Sequence, residues 1–123
     1  MTEAKIEAKT YEGGCHCGRV RYRVEAALTQ ALECNCSICS KRGALWSPAQ
    51  AAQFSLVKGD DALSDYQFAK KNVHHLFCES CGVGSFSRGA APNGQEMVMV
   101  NVRCLDGVDV SALERRPFDG KKL

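Results

Sequence analysis

Cys34-Asn35-Cys36-Ser37-Ile38-Cys39 places three thiols within six residues. Gly14-Cys15-His16-Cys17-Gly18 lies upstream of it, and Phe77-Cys78-Glu79-Ser80-Cys81-Gly82 downstream, each with one more pair. These motifs hold all but one of the eight cysteines in a chain of 123 residues; Cys104 stands alone. Disulfides are the first alternative to weigh. The opening, MTEAKIEAKT, is charged and has no apolar run of the kind that directs export. A cytoplasmic location is therefore expected, where thiols stay reduced. The spacing also suits a metal better than bridges: a tight turn aims neighbouring thiolates at one ion, and Cys-x-Cys and Cys-x-x-Cys pairs on strand-sized segments read as zinc knuckles.

The ligand count carries the reading further. A structural zinc has four closed ligands, whereas a reactive zinc keeps one position open. If Cys15, Cys17, Cys78 and Cys81 close one site, then Cys34, Cys36 and Cys39 remain together as a second, with a face open to water or substrate. In the competing arrangement Cys104 supplies a fourth ligand and both sites are structural. Spacing alone leaves both open.

The rest of the chain reads as short strands. Val20 to Val24 alternates apolar with charged residues, the pattern of a half-buried strand. Phe54 to Val57 alternates again and stops at the turn Lys58-Gly59-Asp60-Asp61. Leu32–Cys34, Tyr66–Phe68, Val73–Cys78, Gly84–Arg88 and Glu96–Arg103 continue the series, so a mainly β fold is expected. Short helices are expected at Ser37–Arg42 or Ser111–Arg115. One domain over 11–123, after an N-terminal tail of residues 1–10, fits the length. The net charge of +2 gives no footprint for nucleic acid, and no apolar run is long enough to span a membrane as a helix.

Taken in order and with their intervals, the three cysteine motifs resemble the glutathione-dependent formaldehyde-activating enzyme family, which also includes the centromere protein V type of domain. Asn101-Val102-Arg103-Cys104-Leu105-Asp106-Gly107 and Pro117-Phe118-Asp119-Gly120 are similar to it as well. The resemblance implies a zinc-stabilised β-tent fold of short antiparallel strands and two Zn²⁺ ions per chain. Cys15, Cys17, Cys78 and Cys81 match the family's structural zinc site; Cys34, Cys36 and Cys39 match the site assigned to catalysis. The activity it implies is that of a carbon–sulfur lyase handling a thiol adduct, such as S-hydroxymethylglutathione made from formaldehyde and glutathione. The implied partner is glutathione or another small thiol. A homodimer is left open.

Lys41 and Arg42 follow the second cluster and are candidates for holding glutathione's carboxylates; a solvated basic turn is the plainer alternative. Trp46 is either core or pocket floor. His16 lies between two ligands and is expected to point away from the metal. His74 and His75 are neighbours in a strand and so face opposite ways; either is a candidate acid or base, or a surface residue. Cys104 is expected to be a small buried residue near the second site. The rival class is a non-enzymatic, zinc-stabilised binding module.

Overall fold

Alternation decides the first pair of strands. In the computed structural model, which describes residues 8–68, 73–91 and 93–119, Arg21–Ala26 forms strand β2 with Tyr22 and Val24 buried and the intervening arginine and glutamate exposed. Residues 1–7 of the expected tail lie outside the described residues. Strand β1 (Lys9–Gly14) and strand β5 (Phe54–Lys58) flank β2, both antiparallel, in a three-stranded sheet.

The second sheet has seven strands. It contains β3 (Gln30–Cys34), β4 (Trp46–Gln50), β6 (Leu63–Tyr66), β7 (Val73–Cys78), β8 (Phe86–Ala90), β9 (Glu96–Asn101) and β10 (Glu114–Phe118). Their order across the sheet is β10-β3-β4-β9-β8-β7-β6. The pairings are antiparallel except that β10 runs parallel to β3. The fold is thus mainly β, as expected. A single α-helix among the described residues, α1, occupies Ser37–Arg42 and ends on Gly43, whose φ of 69° is a left-handed cap. The other helical expectation, Ser111–Arg115, resolves into a 3-10 turn at Val110–Ala112 followed by β10. Glu114 to Phe118 gain ladder hydrogen bonds from β3, which a one-turn helix would forgo. Pro117 is tolerated there because β10 is an edge strand.

Three aromatic rings join the sheets. Tyr22 and Phe54 come from the small sheet and Phe86 from the large one, with centroids 4.8–5.6 Å apart. Val20, Val24, Val98, Val100 and Val102 fill the space around them. The Tyr22 hydroxyl donates to the carbonyl oxygen of Ser85 at 2.9 Å, so its polar end is satisfied within this core. A second, smaller core of Cys39, Ala44 and Trp46 packs with Leu32, Ile38 and Met99. The second cysteine cluster stands against it.

Candidate metal centre

The first cluster joins two sheets. Cys15 and Cys17 follow the end of β1, Cys78 ends β7, and Cys81 lies in the turn before β8. All four sulfurs lie within 4.8 Å of one another. Cys15 and Cys17 are 3.6 Å apart and Cys17 and Cys78 3.7 Å. With a Zn–S bond near 2.3 Å, a tetrahedron has S···S edges of about 3.8 Å, so these separations fit a zinc-sized ion without rearrangement.

Local backbone makes the convergence possible. The Val20 N–H donates to the Cys15 sulfur at 3.3 Å, and Cys15 N–H returns to the Val20 carbonyl at 3.1 Å. A Cβ on Gly14 would lie 2.0 Å from that carbonyl, so only glycine permits this approach. In the other knuckle, Gly82 N–H bonds the Cys78 carbonyl at 2.8 Å with φ of 80°. The Arg19 guanidinium ties the knuckles through Ser80 Oγ at 2.6 Å. Backbone N–H groups of Val83 and Cys17 lower the Cys81 thiol to about 6, while for Cys17 the lowering by the Arg19 N–H is outweighed by desolvation and the three sulfur neighbours, which leave it raised to about 11. A divalent ion would stabilise all four as thiolates. His16 is exposed and is no part of the tetrad.

The second cluster is built by one strand end and one helix start. Cys34 ends β3, Cys36 is the N-cap of α1, and Cys39 is one turn into it. Their sulfurs also lie within 4.8 Å of one another, and among the described residues no fourth cysteine, histidine or carboxylate joins them. Burial pushes the Cys36 thiol up, but the backbone N–H of Cys39, the neighbouring Cys39 and Cys34 sulfurs and the backbone N–H of Ile38 together outweigh it and lower the net value; its side chain makes no capping hydrogen bond. Burial pushes Cys39 up to about 12, opposed by the Trp46 indole N–H, which donates to its sulfur at 3.3 Å. The turn is pinned from outside: Asn35 N–H bonds the Phe118 carbonyl at 3.1 Å, and the Asn35 amide donates to Asp119 at 2.9 Å.

Other sequence candidates fall in different places. Cys104 is not at the second cluster. Burial raises its thiol to about 11, and the charges that act on it are Cys15 and Cys81, so it adjoins the first cluster without completing either group. Its segment is fixed there because the Gly13 backbone bridges Leu105. Lys41 and Arg42 occupy the last turn of α1. Both are exposed, and the Arg42 guanidinium lies 5.7 Å from the centre of the Phe77 ring and against Gly84. His74 is exposed and bonded to Asp65 at 2.6 Å; His75 is buried and stacked on Phe68. Trp46 is core, and it also touches a cluster sulfur. That contact and the Asn35–Asp119 bond left no trace in residue spacing. The larger surface groove, lined by Leu56, Leu63, Leu76, His74 and Arg88 among others, has no cysteine in its wall.

No helix among the described residues is long and apolar enough to cross a membrane. Residues 10–117 match the model of a family described as glutathione-dependent formaldehyde-activating enzyme. The fold is similar to a crystal structure of a Rhodobacter sphaeroides protein, with a TM-score of 0.76 and 34% sequence identity, over 86% of this chain and 97% of that one.

Proposed function

The chain belongs to the glutathione-dependent formaldehyde-activating enzyme family, and from that membership together with the two sulfur clusters we propose a zinc-dependent carbon–sulfur lyase acting on a glutathione adduct. The Cys15, Cys17, Cys78 and Cys81 tetrad is assigned to structural zinc and the Cys34, Cys36 and Cys39 triad to a reactive one. One observation carries this division: four sulfurs converge in the first group and three in the second, with no further protein ligand among the described residues. Sulfur donors suit zinc, and a three-sulfur set leaves a place for an outside ligand.

When bound at the triad, zinc would accept a thiol sulfur and lower its pKa, making it nucleophilic at neutral pH. The triad and the residues around it then have three roles. Cys34, Cys36 and Cys39 fix the direction from which that sulfur arrives. The apolar packing of Leu32, Ile38 and Trp46 keeps water from the back of the cluster. Lys41, exposed two residues past Cys39, offers a cation to a glutathione carboxylate, with Arg42 next in sequence. In the reaction the thiol S–H bond breaks, a C–S bond forms to the formaldehyde carbon, and the carbonyl oxygen takes up a proton. The reverse reaction releases formaldehyde and thiol.

The test is exchange between free formaldehyde and its glutathione adduct, followed by NMR on zinc-loaded protein against an enzyme-free control, because this reaction also proceeds unaided. Exchange above the control that is lost in Cys36→Ser supports the lyase. A rate equal to the control at full zinc occupancy overturns it and leaves a zinc-stabilised binding module.

A further inference from the structure

We propose that Trp46 is a positioning residue for the three-sulfur site: its indole N–H fixes the direction of the Cys39 sulfur, which strengthens the site's hold on metal, and withdraws charge from that sulfur, which strengthens the hold on an incoming thiol. The inference rests on the triad being the reactive zinc site, and it adds a residue outside the ligand set.

Three observations carry it. The indole Nε1 lies 3.3 Å from the Cys39 sulfur, within the range for an N–H···S hydrogen bond, and both residues are buried. The ring cannot easily turn away. Trp46 begins β4, paired with Leu32 on one side and Asn101 on the other, and it packs with Cys39 and Ala44 under Leu32, Ile38 and Met99. Finally, the other N–H groups near the cluster belong to the backbone. Cys34 accepts from the Cys36 N–H at 3.5 Å, and Cys36 is faced by the N–H groups of Ile38 and Cys39. Among the described residues, Trp46 is the side chain that donates to a sulfur of this cluster, so a substitution there alters the electronics and leaves every ligand in place.

The chemistry follows from charge. Three thiolates give Zn²⁺ a net −1, which makes the open position a weak acceptor for another anion. A hydrogen bond to one thiolate lowers its donation and leaves the metal more electrophilic. It also holds the sulfur in the orientation the ion needs. Loss of an outer partner that hydrogen-bonds a metal ligand typically costs about 10–100-fold in metal affinity or activity.

The experiment uses cobalt in place of zinc, because sulfur-to-cobalt charge transfer reports thiolate donation directly. In Trp46→Phe, which keeps an aromatic ring and removes the N–H, the charge-transfer band of the triad shifts to lower energy in the absence of any added thiol. Cobalt affinity of the triad falls about 10-fold, and the tetrad band is unmoved. An unshifted band with unchanged affinity overturns the proposal. Trp46 is the chain's sole tryptophan, which allows a second test without any variant. In wild-type protein loaded with ¹¹³Cd, the single indole N–H proton shows scalar coupling to cadmium through the N–H···S contact; absence of that coupling with the triad filled overturns the proposal even where Trp46→Phe fails to fold. Neither readout depends on formaldehyde or glutathione. A protein that shows both signatures yet fails the exchange assay retains the Trp46 assignment and loses the lyase reading.

Discussion

Cys17 and Cys78 are 61 residues apart in sequence, and their sulfurs lie 3.7 Å apart. The contact closes a loop that takes in β2 to β7 and joins the end of β1, in the small sheet, to the end of β7, in the large one. A metal bound there therefore stabilises the packing of one sheet on the other, and its binding free energy becomes folding free energy.

Cys78→Ser and Cys36→Ser should consequently differ sharply. Structural zinc contributes an apparent 10–16 kcal/mol or so in small domains, which is comparable to the total stability of such a fold. Cys78 is fully buried at the junction, so Cys78→Ser should give largely unfolded, poorly soluble protein. Cys36 is the N-cap of α1, where serine is a favoured residue, so Cys36→Ser should keep the helix and shift the Tm by only a few degrees. Thermal melts of the two variants, with metal content measured by elemental analysis, check this. Equal losses would remove the distinction between the sites.

Tyr22→Phe isolates one buried polar contact. The ring stays between Phe54 and Phe86, but the Ser85 carbonyl loses its donor at 2.9 Å within the core. Leaving that acceptor unpaired should cost about 1–2 kcal/mol. In a domain of this size the Tm falls by roughly 3–8 °C. Chemical denaturation with unchanged m-value should report the same loss.

Strands with clear alternation, such as Arg21–Ala26, were legible in the residues, as was α1, whose length the cluster and Gly43 delimit. Two of the strands that escaped reading, β4 and β10, lack that signal for physical reasons. In β4, Trp46-Ser47-Pro48-Ala49-Gln50, Pro48 argues against a strand with neighbours on both sides. Yet β3 meets β4 at the single pair Leu32 and Trp46, so at Pro48 one side has no ladder to interrupt. Every residue of β10 is exposed, which erases alternation altogether. The two groupings of sulfurs were legible because a knuckle is local. The placement of Cys104 beside the first cluster depends on the Gly13–Leu105 bridge, a long-range pairing that no spacing encodes.

His75 predicts a difference in acid sensitivity. Burial is the main cause that keeps its pKa below the ordinary 6.5, and the charges of Arg42 and His74 act in the same direction, with Asp65 opposing. As pH falls, the unfolded chain therefore takes up this proton first. The stability associated with neutral His75 is full above about pH 6.5 and declines below it until the folded-state value is passed. His75→Phe keeps a ring against Phe68 and removes the proton site. Urea unfolding at pH 8 and pH 5.5 should show a larger loss for the parent chain than for His75→Phe. Acid release of metal is common to both and cancels in the comparison. Matching losses would mean that His75 is not held neutral by the fold.

The two basic residues of α1 divide their work. Both stand in the helix's last turn and both are exposed, but Arg42 rests over Phe77 and against Gly84. An exposed ammonium that binds a substrate carboxylate contributes equally to ground state and transition state, so its removal raises KM and leaves kcat nearly unchanged. Lys41→Ala should therefore raise the apparent KM for glutathione about 3–10-fold, the range of an exposed charge pair of roughly 0.7–1.4 kcal/mol. Arg42→Ala should add a smaller KM effect and a loss of stability, because the guanidinium also covers the Phe77 ring. Measuring exchange rate against glutathione concentration for each variant, alongside its Tm, separates the two roles. A fall in kcat with unchanged KM in Lys41→Ala would place that ammonium at the reacting atoms instead of on the carboxylate.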